Sequence, residues 1–241
     1  MKHVAFVLYS LTLLGVPLST AQERPNQTEP VFLLRPSLTP SNFVTAVTNP
    51  YYPLSPGTRY SYEAQTEDGT EHTEVVVTHE TKKVMGVSTT VVRDTVKLEG
   101  EVIEDTYDWY AQDQQGNVWY FGEAVSNYEN GRLKDTAGSW EAGVDGAIPG
   151  IIMLAEPRVG DTYRQEYYRG EAEDMGQVLA LAANTTVPYG SYRDLLVTAD
   201  WNALEPGVLE HKFYAKGVGF IAEEKVTGPP ERSELVEITR E

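Results

Sequence analysis

Hydrophobic and polar positions alternate with a period of two along most of this chain, and turn residues cut the alternation at short, regular intervals. Asp68-Gly69, Glu99-Gly100, Asn130-Gly131, Pro206-Gly207 and Lys216-Gly217 each separate segments rich in Val, Thr, Tyr, Phe and Ile. Such dipeptides tolerate the backbone angles of tight hairpins, while β-branched and aromatic side chains fit a pleated, half-buried surface. The pattern predicts about eleven strands. They cover residues 60–66, 70–81, 88–98, 102–112, 118–123, 162–168, 177–186, 195–201, 209–215, 218–226 and 235–239. Helical periodicity is missing except for a short helix expected within 41–48. Neighbouring strands joined by local turns predict an all-β fold, an antiparallel meander rolled into a closed or half-open barrel.

The ends of the chain read differently. Lys2 and His3 precede a run from Val4 to Leu18 that is almost wholly apolar, and Ser19-Thr20-Ala21 supplies the small residues of a cleavage site before Gln22. Residues 1–21 are therefore expected to be a secretory signal, too short to span a membrane. Residues 22–48 are polar and proline-rich, with Val31-Phe32-Leu33-Leu34 as an apolar tether, and are expected to be a linker ending in the short helix. A single domain is expected over 49–241. Asn49-Pro50-Tyr51-Tyr52-Pro53 opens it with prolines that resist strand pairing and an aromatic pair suited to plug one end. The glycine-rich connection from Asp135 to Asp161 is long for a compact domain and reads as a lid over the open end or a structural plug.

Register assigns faces. If Glu99-Gly100 is a two-residue turn, Leu98 pairs with Glu101, Val96 with Ile103, and Asp94 with Asp105. Two carboxylates would then share an otherwise apolar surface, about 5 Å apart at Cβ, and one of them would resist ionisation. A bulge would shift this register and dissolve the pair. By the same reasoning a turn at Lys216-Gly217 turns Phe213, Phe220 and His211 inward. Asp94, Asp105 and His211 are thus the candidate acid/base groups. Inward polar residues of barrels also line wet cavities or are satisfied by nearby hydroxyls and backbone groups. Aromatic residues cluster on the hairpin from 107 to 121, and with the long loop they nominate Tyr107, Trp109, Tyr120, Trp140, Phe213 and Phe220 as ligand lining. Tyr110, Trp119 and Phe121 would form an outer aromatic face that a partner or a loop must cover.

Composition narrows the function classes. With 19 Lys and Arg against 36 Asp and Glu the net charge is −17, which opposes nucleic acids and anionic membranes because both demand clustered cations. Removing the signal leaves 18 basic residues and a charge of −18. Cysteine is absent, which excludes disulfides, thiolate nucleophiles and Cys-ligated zinc. No Gly-x-Ser-x-Gly elbow, phosphate loop, His-Glu-x-x-His helix or twelve-residue calcium loop occurs, so no cofactor or metal is nominated.

The stretches Asn49-Pro50-Tyr51-Tyr52-Pro53-Leu54, Pro56-Gly57-Thr58 and Phe213-Tyr214-Ala215-Lys216-Gly217-Val218-Gly219 make the chain similar to uncharacterised secreted bacterial β-rich proteins. The last stretch also resembles half-open barrel envelope proteins such as the LolA/LolB lipoprotein carriers. The resemblance implies a barrel-like fold and a secreted or periplasmic setting, and carries over no catalytic residue. The expected function is a secreted or periplasmic protein that binds an apolar or amphipathic small molecule or lipid. The alternatives are an acid/base hydrolase or isomerase using paired carboxylates, and a structural cell-envelope interaction protein.

Overall fold

The computed structural model describes residues 38–241. The expected signal segment and most of the expected linker lie outside the described residues. The chain forms β1 (Phe43–Val44), β2 (Thr58–Thr66), β3 (Gly69–Val84), β4 (Val87–Leu98), β5 (Glu101–Asp113), β6 (Val118–Glu129), β7 (Arg132–Asp135) and β8 (Trp140–Glu141). It continues through β9 (Ile148–Met153), β10 (Thr162–Arg164), β11 (Glu166–Tyr167), β12 (Asp174–Val187), β13 (Gly190–Asn202), β14 (Glu210–Ala215), β15 (Gly219–Lys225) and β16 (Arg232–Arg240). The all-β antiparallel architecture is the one the alternation calls for. The count of sixteen exceeds the expected eleven because short β1, β7, β8 and β9 join the wall and the segment near 162–168 splits into β10 and β11.

Strands follow one another around the wall in the order β10, β12, β13, β14, β15, β16, β2, β3, β4, β5, β6, β9, β11. The C-terminal β16 pairs with β2, so the two ends of the domain zip together from Ser233↔Ala64 to Arg240↔Thr58. The sheet is nearly closed into a barrel, with one unsealed seam between its end strands β10 and β11, where β10 lies against β9 without a ladder. The chain itself staples this seam. Gln165 N–H donates to Asp174 O at 2.8 Å on the β12 side, and the next residue, Glu166, pairs with Pro149 of β9.

Turn chemistry sets the registers. Glu99 (φ 48°) and Gly100 (φ 86°) both take positive φ, as a two-residue hairpin turn requires, and Leu98 faces Glu101 as expected. The register then shifts between Lys97↔Val102 and Val96↔Glu104, leaving Ile103 as a bulge. Beyond it Asp94 lies opposite Thr106, while Asp105 lies opposite Thr95. The hairpin at Lys216-Gly217-Val218 has three loop residues instead of two, so Ala215 pairs with Gly219 and Tyr214 with Phe220.

Two expectations for the flanking segments change. Residues 41–48 contain no regular helix: a 3-10 turn spans Pro40–Asn42, then Phe43 and Val44 pair with Asp113 and Gln112. Phe43 draws the chain into an extended path by packing edge-on against Phe121 (5.4 Å) and Trp119 (6.4 Å). The glycine-rich connection supplies β8 and β9 to the wall, and its loop fastens to the outer side, where Ala142 N–H donates to Phe121 O (2.9 Å) and Lys82 Nζ meets Glu141 at 2.7 Å. It is part of the wall, not a lid.

Gly150 of β9 marks where the seam edges press closest. A Cβ built there would stand 2.3 Å from Gln165 O and 2.5 Å from Arg164 O. Gly150→Val should force the edges apart and destabilise the domain by about 1–3 kcal/mol, measured by urea unfolding. Wild-type stability in that variant would mean the seam is not packed this tightly.

Candidate functional site: the carboxyl-lined interior

An aromatic column crosses the inside of the barrel. Trp140 meets Tyr120 edge-on at 5.4 Å, Tyr120 stacks on Tyr110 at 4.8 Å, and Tyr110 meets Tyr52 at 5.4 Å. Contacts continue from Tyr52 to Tyr214 (6.5 Å), Tyr214 to Phe220 (5.8 Å) and Phe220 to Tyr62 (5.2 Å). Six of these rings sit on strands. Tyr52 comes from the irregular segment between Asn49 and Leu54, which Asn49 anchors by donating from Nδ2 to Leu154 O at 3.0 Å. A cavity of about 30 Å³ lies beside the column among Tyr52, Tyr60, Tyr62, Val92, Tyr110 and Phe220. That is the volume of roughly one water.

Above the rings the interior is acidic. Ten charged residues are buried among the described residues, and all are acids: Glu71, Asp94, Glu104, Asp108, Asp113, Glu123, Glu166, Asp174, Asp200 and Glu223. They are not equivalent. Asp113 is saturated, accepting from the Gln115 and Asn117 backbones, from Asn117 Nδ2 (2.8 Å) and from Trp119 Nε1 (2.8 Å), and so caps the β5–β6 turn. Asp200 accepts from Thr198 Oγ1 (2.6 Å) and Gln165 Nε2 (2.9 Å), and it shares the Lys212 ammonium with Glu223, each at 3.4 Å.

A second group lacks such partners. Asp108 and Glu123 are direct cross-strand neighbours. Asp108 Oδ1 accepts from Tyr120 OH at 2.6 Å, but its Oδ2, Glu123 Oε2, Glu166 Oε2 and both Asp174 oxygens are buried with no hydrogen-bond donor. Glu166 lies on β11, one end strand of the wall, and Asp174 on β12, the partner of the other end strand β10. Among the described residues no three carboxylates converge as a metal ion would require.

Carboxylates in a dry interior favour the protonated form. Burial pushes Asp108 up to about 7, with Glu104 and Glu166 adding repulsion and the Tyr120 hydrogen bond opposing it. Burial, then the Glu166 and Asp108 charges, holds Glu123 well above the carboxylate range, and Asp174 is raised by burial and by Glu166. Burial likewise raises Glu166. Glu223 reaches about 8 through burial and Glu210, with Lys212 opposing. For Lys212 burial works against the charge, yet Glu223, Asp200, Tyr214 and Glu210 outweigh it and keep the ammonium protonated.

The sequence-nominated residues divide between the two faces. Tyr120, Trp140 and Phe220 point inward as expected. Tyr107 is exposed beside Arg93, and Trp109 lies on the outer side under Lys82 Nζ, 3.2 Å from its ring centroid. Phe213 faces outward against Arg232. Asp94 is buried inward, but Asp105 turns out to pair with Arg93 (2.7 and 2.9 Å), so the Asp94–Asp105 pair does not form. The Ile103 bulge is the reason. His211 also faces out, 3.8 Å from Glu224, because the longer hairpin loop puts Lys212 inside in its place. Of the expected outer aromatic face, Tyr110 is inside, while Trp119 and Phe121 are covered by the chain's own Phe43. Paired carboxylates do occur, at Asp108 and Glu123. Alternation could have found them, since Glu104, Thr106, Asp108 and Tyr110 share one face of β5. That strand is buried on both faces beyond Asp108, so hydrophobicity alone favours neither. Glu166 and Asp174 stand at irregular strand ends with no periodic signal.

No protein-family model matches this chain, and no curated protein does. Two solved structures are similar. A candidate exported protein with a YmcC-like fold from Bacteroides fragilis aligns at 14% identity with a TM-score of 0.46, covering 79% of this chain and 99% of that one. A candidate lipoprotein from Parabacteroides distasonis aligns at 11% identity with a TM-score of 0.44, covering 78% of this chain and 98% of that one.

The raised carboxyls predict the sign of the pH dependence. A group whose pKa is higher in the folded chain stabilises it fully below its unfolded value, and the contribution disappears as pH rises through the folded value. For Asp108 that window runs from 3.8 to about 7, worth up to about 4 kcal/mol; Glu223 extends it to about 8. The melting temperature should fall as pH rises from 5 to 8, and Asp108→Asn should flatten the fall by stabilising the protein at pH 8. A wild-type melting temperature constant across this range, or unaltered in its pH dependence by the variant, would contradict the assignment.

Proposed function

We propose that this chain is an exported cell-envelope protein that holds an amphipathic small molecule inside its barrel. The observation that carries the reading is the Tyr52 plug: a ring on an irregular segment completes a column otherwise built from strand residues. Strands of a closed wall cannot withdraw a side chain without breaking ladders, whereas a connecting segment can move as a unit. Withdrawing Tyr52 would free the space between Tyr110 and Tyr214 for an apolar group. The carboxyls at the far end of the column would meet the polar end of the same molecule. Location rests on the apolar segment ahead of Gln22, and among the described residues no helix is long and apolar enough to cross a membrane.

A second reading, acid/base catalysis, is favoured by the cross-strand Asp108–Glu123 pair, in which a carboxyl titrating at about 7 sits beside another held protonated. It requires a route for substrate past Tyr120.

Protein recovered from the cell exterior or periplasm should begin at Gln22 by N-terminal sequencing. Tyr52→Ala should bind a naphthylamine-type fluorescent probe at least tenfold more tightly than wild type while keeping its β-sheet circular dichroism. A folded variant that takes up no probe would remove the binding reading.

A further inference from the structure

We propose that the seam carboxyls, Glu166 and Asp174 backed by Asp108 and Glu123, receive an ammonium group, which makes the ligand of this barrel an amine or alkylammonium compound. The inference rests on the amphipathic-ligand reading above and names the head group. The barrel itself shows how its interior holds such a group. Lys212 Nζ lies between Asp200 and Glu223 at 3.4 Å from each, with its side chain only 13% exposed. A largely buried ammonium is retained there because two carboxyl groups replace its water.

The seam group repeats that composition. Asp174 and Glu166 lie beside the seam within hydrogen-bonding reach of each other, the Asp108–Glu123 pair lies close by, and the rings of Tyr120 and Trp140 border the cluster. In contrast to Asp200, Asp174 has no neutral or cationic donor on either buried oxygen and only the Glu166 carboxyl within hydrogen-bonding reach, while Glu166, Glu123 and Asp108 each keep one buried oxygen without a donor. Acids so placed are matched by a group that brings charge and several N–H donors together. A divalent metal ion fits less well, because it needs three or more converging oxygen ligands, and these carboxylates do not converge in that way. An ammonium is satisfied by two carboxylates and a ring face.

The test is calorimetric titration of the mature protein at pH 8 with octylammonium, octanol, octanoate and butylammonium. Octylammonium should bind at least tenfold more tightly than octanol, and octanoate should not bind. Glu166→Gln/Asp174→Asn, which exchanges acids for neutral amides of the same shape, should bring octylammonium down to the affinity of octanol. Octylammonium binding no better than octanol in the wild type would overturn the ammonium assignment and leave the amphipathic reading standing. Butylammonium binding that the double variant abolishes, with no binding of octanol, would support the ammonium site while removing the amphipathic reading. No binding by any of the four would overturn both.

Discussion

A carboxylate withdrawn from water loses solvation that only donors, counter-charges or a bound proton can replace. This barrel is organised around that constraint. Its buried charged residues among those described are all acidic, and three kinds of compensation appear side by side. Asp113 is met by donors of its own turn. Asp200 is met by the Lys212 ammonium, which Glu223, itself pushed up to about 8, shares. Asp108, Glu123, Glu166 and Asp174 are pushed toward protonation instead. The last solution is the costly one, because each of these groups would be charged in the unfolded chain at neutral pH.

The aromatic column provides the dry medium in which this chemistry takes place. Stacked and edge-on rings occupy the barrel with few voids, and Tyr120 links the two regions by donating its hydroxyl to Asp108 while its ring packs on Tyr110 and Trp140. Cross-strand pairing sets these positions: Tyr110 lies opposite Tyr120, and two residues back along β5 Asp108 lies opposite Glu123. A single register error in the β5–β6 hairpin would separate ring from carboxyl, so the geometry of the site is a property of the ladder.

Closure is unevenly distributed around the wall. The β16–β2 zipper fixes one side through a long hydrogen-bonded ladder, while the opposite side relies on a short chain crossing at Gln165–Glu166 and on close backbone contact at Gly150. Glu166 and Asp174 lie beside that weaker side, on β11 and β12. Their protonation state therefore bears on how firmly the edges meet, since two ionised acids across an unpaired seam repel without a ladder to resist them.

Much of the fold was legible in the chain, because alternation and turn dipeptides are local properties. The eleven expected segments all fall on strands, and Glu99-Gly100 makes the tight turn its residues favour. Faces were less legible. One bulged residue, Ile103, and one extra loop residue at Val218 exchanged Asp105 and His211 for other groups, since a shift of a single position reverses every side chain beyond it. The short strands β8, β9 and β11 carry too few residues to show a period, yet they bring in Trp140 and Glu166. The amino-acid order by itself determined an acidic, cysteine-free, all-β chain, because composition and period-two patterning do not depend on what lies across the barrel. Which acids meet, which rings touch them, and where the wall stays unsealed were decided by the tertiary structure, because bulges and long-range pairing between residues far apart in the chain set them.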